Sequence, residues 1–286
     1  MLRLNDLKES NINKKTDYTI GIYSIFIGNY EIFYEEFIKS INNNFFPGVK
    51  KKIFIITNKN LQSYENTYIL KVSDKFINFP FPTLFRFRYF RKIPFTELKQ
   101  VDYMFFLNGN AVIKEPINIS DLPINKSRYI FTLHNGYYKC DYNSIPFEKN
   151  KHSSAYIPAI KDFNYTYIGG GFFGGFLLNF INLCNINYRN ILTDLKKGYI
   201  AVWHDESHIN KYFFDLKVNN HFLAGINYHI PEKQENRKDF KYKKIIYLDK
   251  SKKLNMYPKN WKEKKVKYIH NAGNEITYEL IQFYDK

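Results

Sequence analysis

The densest chemistry in the chain is Trp203-His204-Asp205-Glu206-Ser207-His208. Two adjacent carboxylates set among an indole, two imidazoles and a hydroxyl can grip a hydroxyl-rich ligand, attack a carbon centre or stabilise a developing cation. Ile209, Tyr212, Phe213 and Leu216 follow at helical spacing, which predicts a polar tip feeding a helix with a buried far end. Asp205 is expected as the N-cap, with Glu206 opening the first turn and pointing off the end of a rigid element. An ordinary helix whose acidic residues complement its dipole would carry the same pattern.

Four further groups could share a site with these carboxylates. Asn108-Gly109-Asn110 ends the apolar run Asp102–Leu107. An Asn-Gly turn at a strand end is common, but carboxamides there can hydrogen-bond a sugar or ribose and are poor anchors for a hard dication. Arg86, in an aromatic stretch, could reach a phosphate or carboxylate. His134 closes another strand-like run beside Tyr137 and Tyr138 and could meet a hydroxyl, while Tyr30, after Gly28-Asn29, could stack on a base. Gly169 to Gly175 holds five glycines in seven positions, expected to form a wall where backbone approaches a ligand.

The elements that must carry these groups read as an α/β chain. Thr19 to Ile27 is a buried strand, and Tyr30 to Ile41 has a helical period. Lys52–Thr57, Thr67–Val72, Asp102–Leu107 and Tyr129–Leu133 read as further strands. A helix from about Thr83 breaks near Pro94 and resumes, and another spans about Leu177 to Lys196. Strand, glycine turn and helix place ligand groups at the carboxyl ends of strands, without the glycine fingerprint of nicotinamide or flavin enzymes.

Composition narrows the class. Aromatics make up 19% of 286 residues, which argues for a sizeable core. No opening apolar run has signal-peptide length and no stretch reaches a membrane span. Cys140 and Cys184 have neither metal nor redox spacing and are expected as free thiols in a reducing compartment. The net charge is +16, and residues 237–267 alone hold thirteen Lys or Arg against three Asp or Glu. That stretch reads as a solvated tail, an anionic-membrane contact or a polyanion binder.

Together the motifs resemble glycosyltransferase family 6, the retaining α-1,3-galactosyl and N-acetylgalactosaminyl transferases that include the ABO blood-group enzymes. The resemblance rests on Thr132-Leu-His-Asn-Gly-Tyr-Tyr138, Ser154-Ala-Tyr-Ile-Pro158, Gly170-Gly-Phe-Phe-Gly-Gly175 and the run Val202 to Phe213. It implies a GT-A-type, Rossmann-like open sheet flanked by helices, spanning residues 18–253, after a polar leader (1–17) and before a basic extension (254–286). It implies Glu206 as the catalytic carboxylate. A UDP-sugar donor would be bound by Ile27, Tyr30, Arg86, Asn108, Asn110, Asp205, Gly170 and Gly171, and the acceptor by His134 and Trp203. Small residues at 170 and 171 favour GalNAc over galactose on this pattern. Asn108-Gly109-Asn110 resembles the Asn-x-Asn of the family's bacterial branch, which implies no divalent metal or other cofactor, with Lys250 or Lys252 covering the diphosphate instead. The acceptor implied is a galactoside, fucosylated or not, and the expected location is cytoplasmic, with or without peripheral contact to the inner face of the membrane. Nucleic acid is not an expected partner. The rival reading is a nucleic-acid- or membrane-binding protein with a degenerate transferase body.

Overall fold

The computed structural model describes residues 17–72, 77, 79–216 and 221–251. Lys252, the leader up to residue 16 and the extension 254–286 lie outside the described residues.

A seven-stranded sheet forms the centre, in the order β3-β2-β1-β4-β7-β6-β8. The strands are β1 (Thr19–Phe26), β2 (Lys50–Thr57), β3 (Thr67–Lys71), β4 (Tyr103–Leu107), β6 (Tyr129–Leu133), β7 (Ile168–Phe176) and β8 (His221–Ala224). A second sheet joins β5 (Ala111–Ile113), β10 (Ile245–Tyr247) and β9 (Ile230–Pro231). Only β7 runs against its neighbours β4 and β6; the other pairings in the large sheet are parallel.

The central strands are apolar without interruption because both sheet faces are covered. In β1, Tyr23 and Ile25 face one core and Ile20, Ile22 and Phe26 the other. The first core is closed by α3 (Arg86–Phe90), α5 (Leu177–Lys196) and α6 (His204–Asp215), the second by α1 (Tyr34–Asn44). Each fully buried Phe or Ile in these layers contributes roughly 1.5–3 kcal/mol.

Three local expectations are corrected. The helix expected from Tyr30 begins as a 3-10 turn over Gly28–Phe33, and α1 proper starts at Tyr34. The arginine-rich helix divides into α2 (Phe81–Leu84), α3 and α4 (Phe95–Leu98), with the first break at Phe85. The glycine stretch is strand β7, paired on both edges. Its far glycines accommodate neighbours: a Cβ at Gly174 would lie 2.3 Å from Phe105 Cδ1, and at Gly175, with φ +144°, 2.2 Å from the Arg128 carbonyl oxygen. Gly174 stands directly across from Phe105 in the register, so the ring occupies the space a side chain would take.

The order of the parallel strands reverses between β1 and β4. Their carboxyl ends therefore splay around a crevice, where open α/β sheets bind ligands.

Candidate active site

The crevice is lined on the β1 side by Ile25, Ile27, Gly28, Asn29 and Tyr30, on the β4 side by Phe106 and Asn108, and is roofed by Ile77, Phe79, Pro82 and Thr83. Its cavity of about 140 Å³ suits one aromatic ring, being close in size to engineered cavities that admit benzene. Gly109 lets the Asn-Gly-Asn turn press on this wall: a Cβ there would lie 2.8 Å from the Ile25 carbonyl oxygen and 3.2 Å from the Tyr30 ring.

Arg86 joins the crevice to a polar floor. Its guanidinium lies 3.9 Å from the Phe106 ring centroid, and its Nη1 donates to the Gly170 carbonyl and sits 2.8 Å from Asp205 Oδ2. Tyr23 fixes the backbone by donating its hydroxyl to the Arg86 carbonyl at 2.7 Å. Burial pushes the Asp205 carboxyl up to about 7, against the pull of Arg86 and with the help of Glu206. Two buried charges hold each other in place here at a desolvation cost.

Glu206 lies beside this pair. Tyr167 donates its hydroxyl to Oε1 at 2.7 Å, and the Gly170 N–H donates to Oε2 at 2.7 Å. Both contacts need α6 docked on β7 in one register. Asn210 supplies that by behaving like an adjacent strand: its Oδ1 accepts from the Ile168 N–H at 2.8 Å, and its Nδ2 donates to the Ile168 and Glu206 carbonyls at 2.9 Å each. Deeper along α6, His208 Nε2 stands 3.7 Å from Asp194 Oδ2, and Asp194 also accepts from the Ser153 hydroxyl and the Ser154 N–H. Burial lowers the His208 pKa against the pull of Asp194, so the ring is neutral and structural at neutral pH.

Asp205 is not the N-cap. Trp203 is, and its N–H donates to Ser207 Oγ at 2.9 Å, so the hydroxyl four residues on satisfies the helix entry. Asp205 and Glu206 both lie in the first turn of α6, after His204, which takes the left-handed backbone at φ +51°. Strain of that kind in a bulky residue is tolerated where surrounding contacts over-determine it. Here the ring packs edge-on to Phe79 at 5.1 Å, bringing the helix tip under the crevice.

The remaining expected residues fall into two groups. His134, at the end of β6, accepts the Gly136 N–H at Nδ1 (3.0 Å), which puts its proton on Nε2. Its ring is 5.6 Å from Tyr167, and burial lowers its pKa. Trp203 is half-buried at the α6 tip. Asn108 and Asn110 are engaged with protein: Asn108 Nδ2 donates to Asn110 Oδ1 at 2.9 Å, and Asn110 Nδ2 donates to the Leu248 carbonyl at 2.7 Å. Lys250 holds its Nζ 5.6 Å from the Tyr30 ring centroid.

The wall expected at the glycines already has occupants. A Cβ at Gly169 would lie 2.8 Å from His229 Cδ2, at Gly170 3.0 Å from Glu206 Oε2, and at Gly171 2.6 Å from Tyr247 Cε1. Small size here admits these three side chains before it admits a ligand. The His229 and Tyr247 rings pack with centroids 4.7 Å apart and planes tilted by 40°, and among the described residues His229 Nδ1, Tyr247 Oη and Arg86 Nε are buried polar atoms without a hydrogen bond. Neither His229 nor Tyr247 was legible as a site residue, since an isolated His in Asn-Tyr-His-Ile-Pro carries no motif. Tyr167 carried no motif either, since its meeting with Glu206 spans 39 positions of chain.

Comparisons with known proteins give the family of the chain. The model of glycosyltransferase family 6 matches residues 5–256. The O-antigen biosynthesis glycosyltransferase WbnI of Escherichia coli is 33% identical over 234 residues, 81% of this chain and 94% of that protein. The globoside alpha-1,3-N-acetylgalactosaminyltransferase 1 of Gallus gallus is 27% identical over 208 residues, 70% of this chain and 58% of that protein. The histo-blood group ABO system transferase 1 of Rattus norvegicus is 27% identical over 203 residues, 68% of this chain and 56% of that protein. A crevice at the reversal of strand order opens onto a carboxylate floor in a chain matched over most of its length by hexosyltransferases, and the chain belongs to glycosyltransferase family 6.

Proposed function

We propose that the protein transfers N-acetylgalactosamine, or alternatively galactose, from its UDP-sugar to the 3-hydroxyl of a galactoside, fucosylated in the favoured case, with retention at the anomeric carbon and without a metal ion. The observation that carries this reading is Glu206, held by the Tyr167 hydroxyl and the Gly170 N–H beside the Arg86–Asp205 pair and below the crevice. Uracil would enter beside Tyr30 and Ile27, leaving the diphosphate near Asn108 and Lys250 and the sugar over Asp205 and Glu206. Retention requires a group on the face opposite the leaving diphosphate. Glu206 fills that role either as the attacking nucleophile or as the negative charge facing an oxocarbenium-like centre.

Metal independence is supported by the chemistry of the turn after β4. Asn110 directs an N–H at a carbonyl, where a hard cation would need lone pairs. The departing diphosphate is then stabilised by Lys250 and by N–H donors. Asp205, held by Arg86, hydrogen-bonds donor-sugar hydroxyls, and His134 with Trp203 receives the acceptor. Among the described residues no helix is long and apolar enough to cross a membrane.

The test is UDP release from UDP-GalNAc and UDP-Gal, with plain and fucosylated galactosides, in excess EDTA. Transfer with an α-configured product is expected. Silence with every hexose donor would remove the reading, and strict dependence on added Mn²⁺ would remove its metal-free part.

A further inference from the structure

The basic segment is held against the site by a short backbone ladder and by the Asn110 side chain. β10 pairs antiparallel with β5, with Tyr247 opposite Ala111. The ladder continues one residue further: the Leu248 N–H donates to the Asn110 carbonyl at 2.9 Å, and the Asn110 side-chain Nδ2 donates back to the Leu248 carbonyl at 2.7 Å. Asn110 is 1% exposed, and its Oδ1 takes the Asn108 amide, so both ends of its carboxamide are committed.

The residues on either side of Leu248 are the ones that reach the site. Tyr247 fills the space beside Gly171, and Lys250 arrives 5.6 Å from the Tyr30 ring centroid. The Asp249 N–H is tied separately to Glu232 Oε2 at 2.7 Å. β10 ends at Tyr247 and Lys250 follows three residues on, so where Leu248 is anchored decides how the chain leaves the strand and whether a cation stands over the crevice.

We infer that Asn110 is a positioning residue, whose carboxamide sets the register of residues 247–250 and so places Lys250 over the bound nucleoside diphosphate. This rests on the proposed use of a UDP-sugar. An aspartate of nearly the same shape cannot replace it, because a carboxylate oxygen would face the Leu248 carbonyl with no hydrogen between them. The motif after β4 and the basic segment thus work as one device: the amide fixes the strand that delivers the charge.

The test combines hydrogen exchange with a double-mutant cycle. In Asn110→Asp and Asn110→Ala, exchange at the Leu248 amide should accelerate by roughly tenfold or more in the unliganded protein. The KM for the donor should rise roughly tenfold, with kcat less affected. In a Lys250→Ala background the same substitutions should change the donor KM by less than about twofold, since both act through one contact. A full second loss on top of Lys250→Ala would mean that Asn110 touches the donor itself and would overturn the inference, as would unchanged exchange at Leu248. Should those variants fail to fold, Asn110→Ser, whose hydroxyl stops one bond short of the Leu248 carbonyl, should also exchange fast at Leu248, and slow exchange there would equally count against the inference. If the wild-type protein bound no UDP, the proposed function would fall, while the exchange measurement would still decide whether Asn110 holds the strand.

Discussion

The crevice beside Tyr30 and the floor beneath Glu206 meet at Arg86, yet they are built in opposite ways. The crevice is open space with mostly apolar walls, made by two parallel strands ending side by side. The floor is filled, and its charges are held by Tyr167, Gly170, Arg86 and Asn210. A flat ring can be recognised by a slot that exists beforehand. A reacting centre needs fixed dipoles that do not reorganise when charge develops, and such dipoles must be packed. Recognition should therefore tolerate changes in side-chain size better than chemistry does.

The largest break of this contrast is at the carboxylate. Glu206→Gln should lower kcat by roughly a thousandfold while UDP affinity, measured by calorimetry, is retained. Near-normal turnover would take Glu206 out of the reaction. Next is the backbone beneath it: Gly170→Ala places a Cβ 3.0 Å from Glu206 Oε2. That displacement should cost roughly ten- to a hundredfold in kcat with little change in thermal midpoint. On the crevice side, Tyr30→Ala should raise the donor KM roughly tenfold through lost stacking and leave kcat nearly intact. A matching fall in kcat would mean that the two regions are not separable.

Gly174→Ala sharpens the comparison from the other end of β7. Its Cβ would meet Phe105 at 2.3 Å, so the expected effect is a loss of roughly 1–3 kcal/mol in denaturant unfolding, with normal kcat in the folded fraction. The smallest effect is in the pH dependence of stability. Asp205 ordinarily titrates at 3.8 and is raised to about 7 by burial. Between those values the folded protein keeps a proton that the unfolded chain has released, so stability falls as pH rises through that window. Thermal midpoints of Asp205→Asn should lack this downward slope between about pH 4 and 7, set against the wild type. Parallel curves would show that Asp205 is ionised throughout.

Residues four apart on a helix, or adjacent in a strand, carry their relation in the sequence itself, and much of this protein was readable on that basis. The apolar runs of β1, β2 and β4, the helix α5 and the acidic tip of α6 all follow from side-chain period and type, because propensity and burial act over one or two turns. The residue types at the tip likewise announced a carboxylate site, and their order along the chain resembled one family. Their neighbours were not readable. That Glu206 rests on Gly170, that His229 and Tyr247 occupy the room beside the glycines, and that Asn110 grips Leu248 are pairings across 36 to 138 positions of chain. Even the glycines misled in part, since the sequence states only that a side chain is missing. What fills the gap is settled when distant strands are brought into register, by packing that no local pattern encodes.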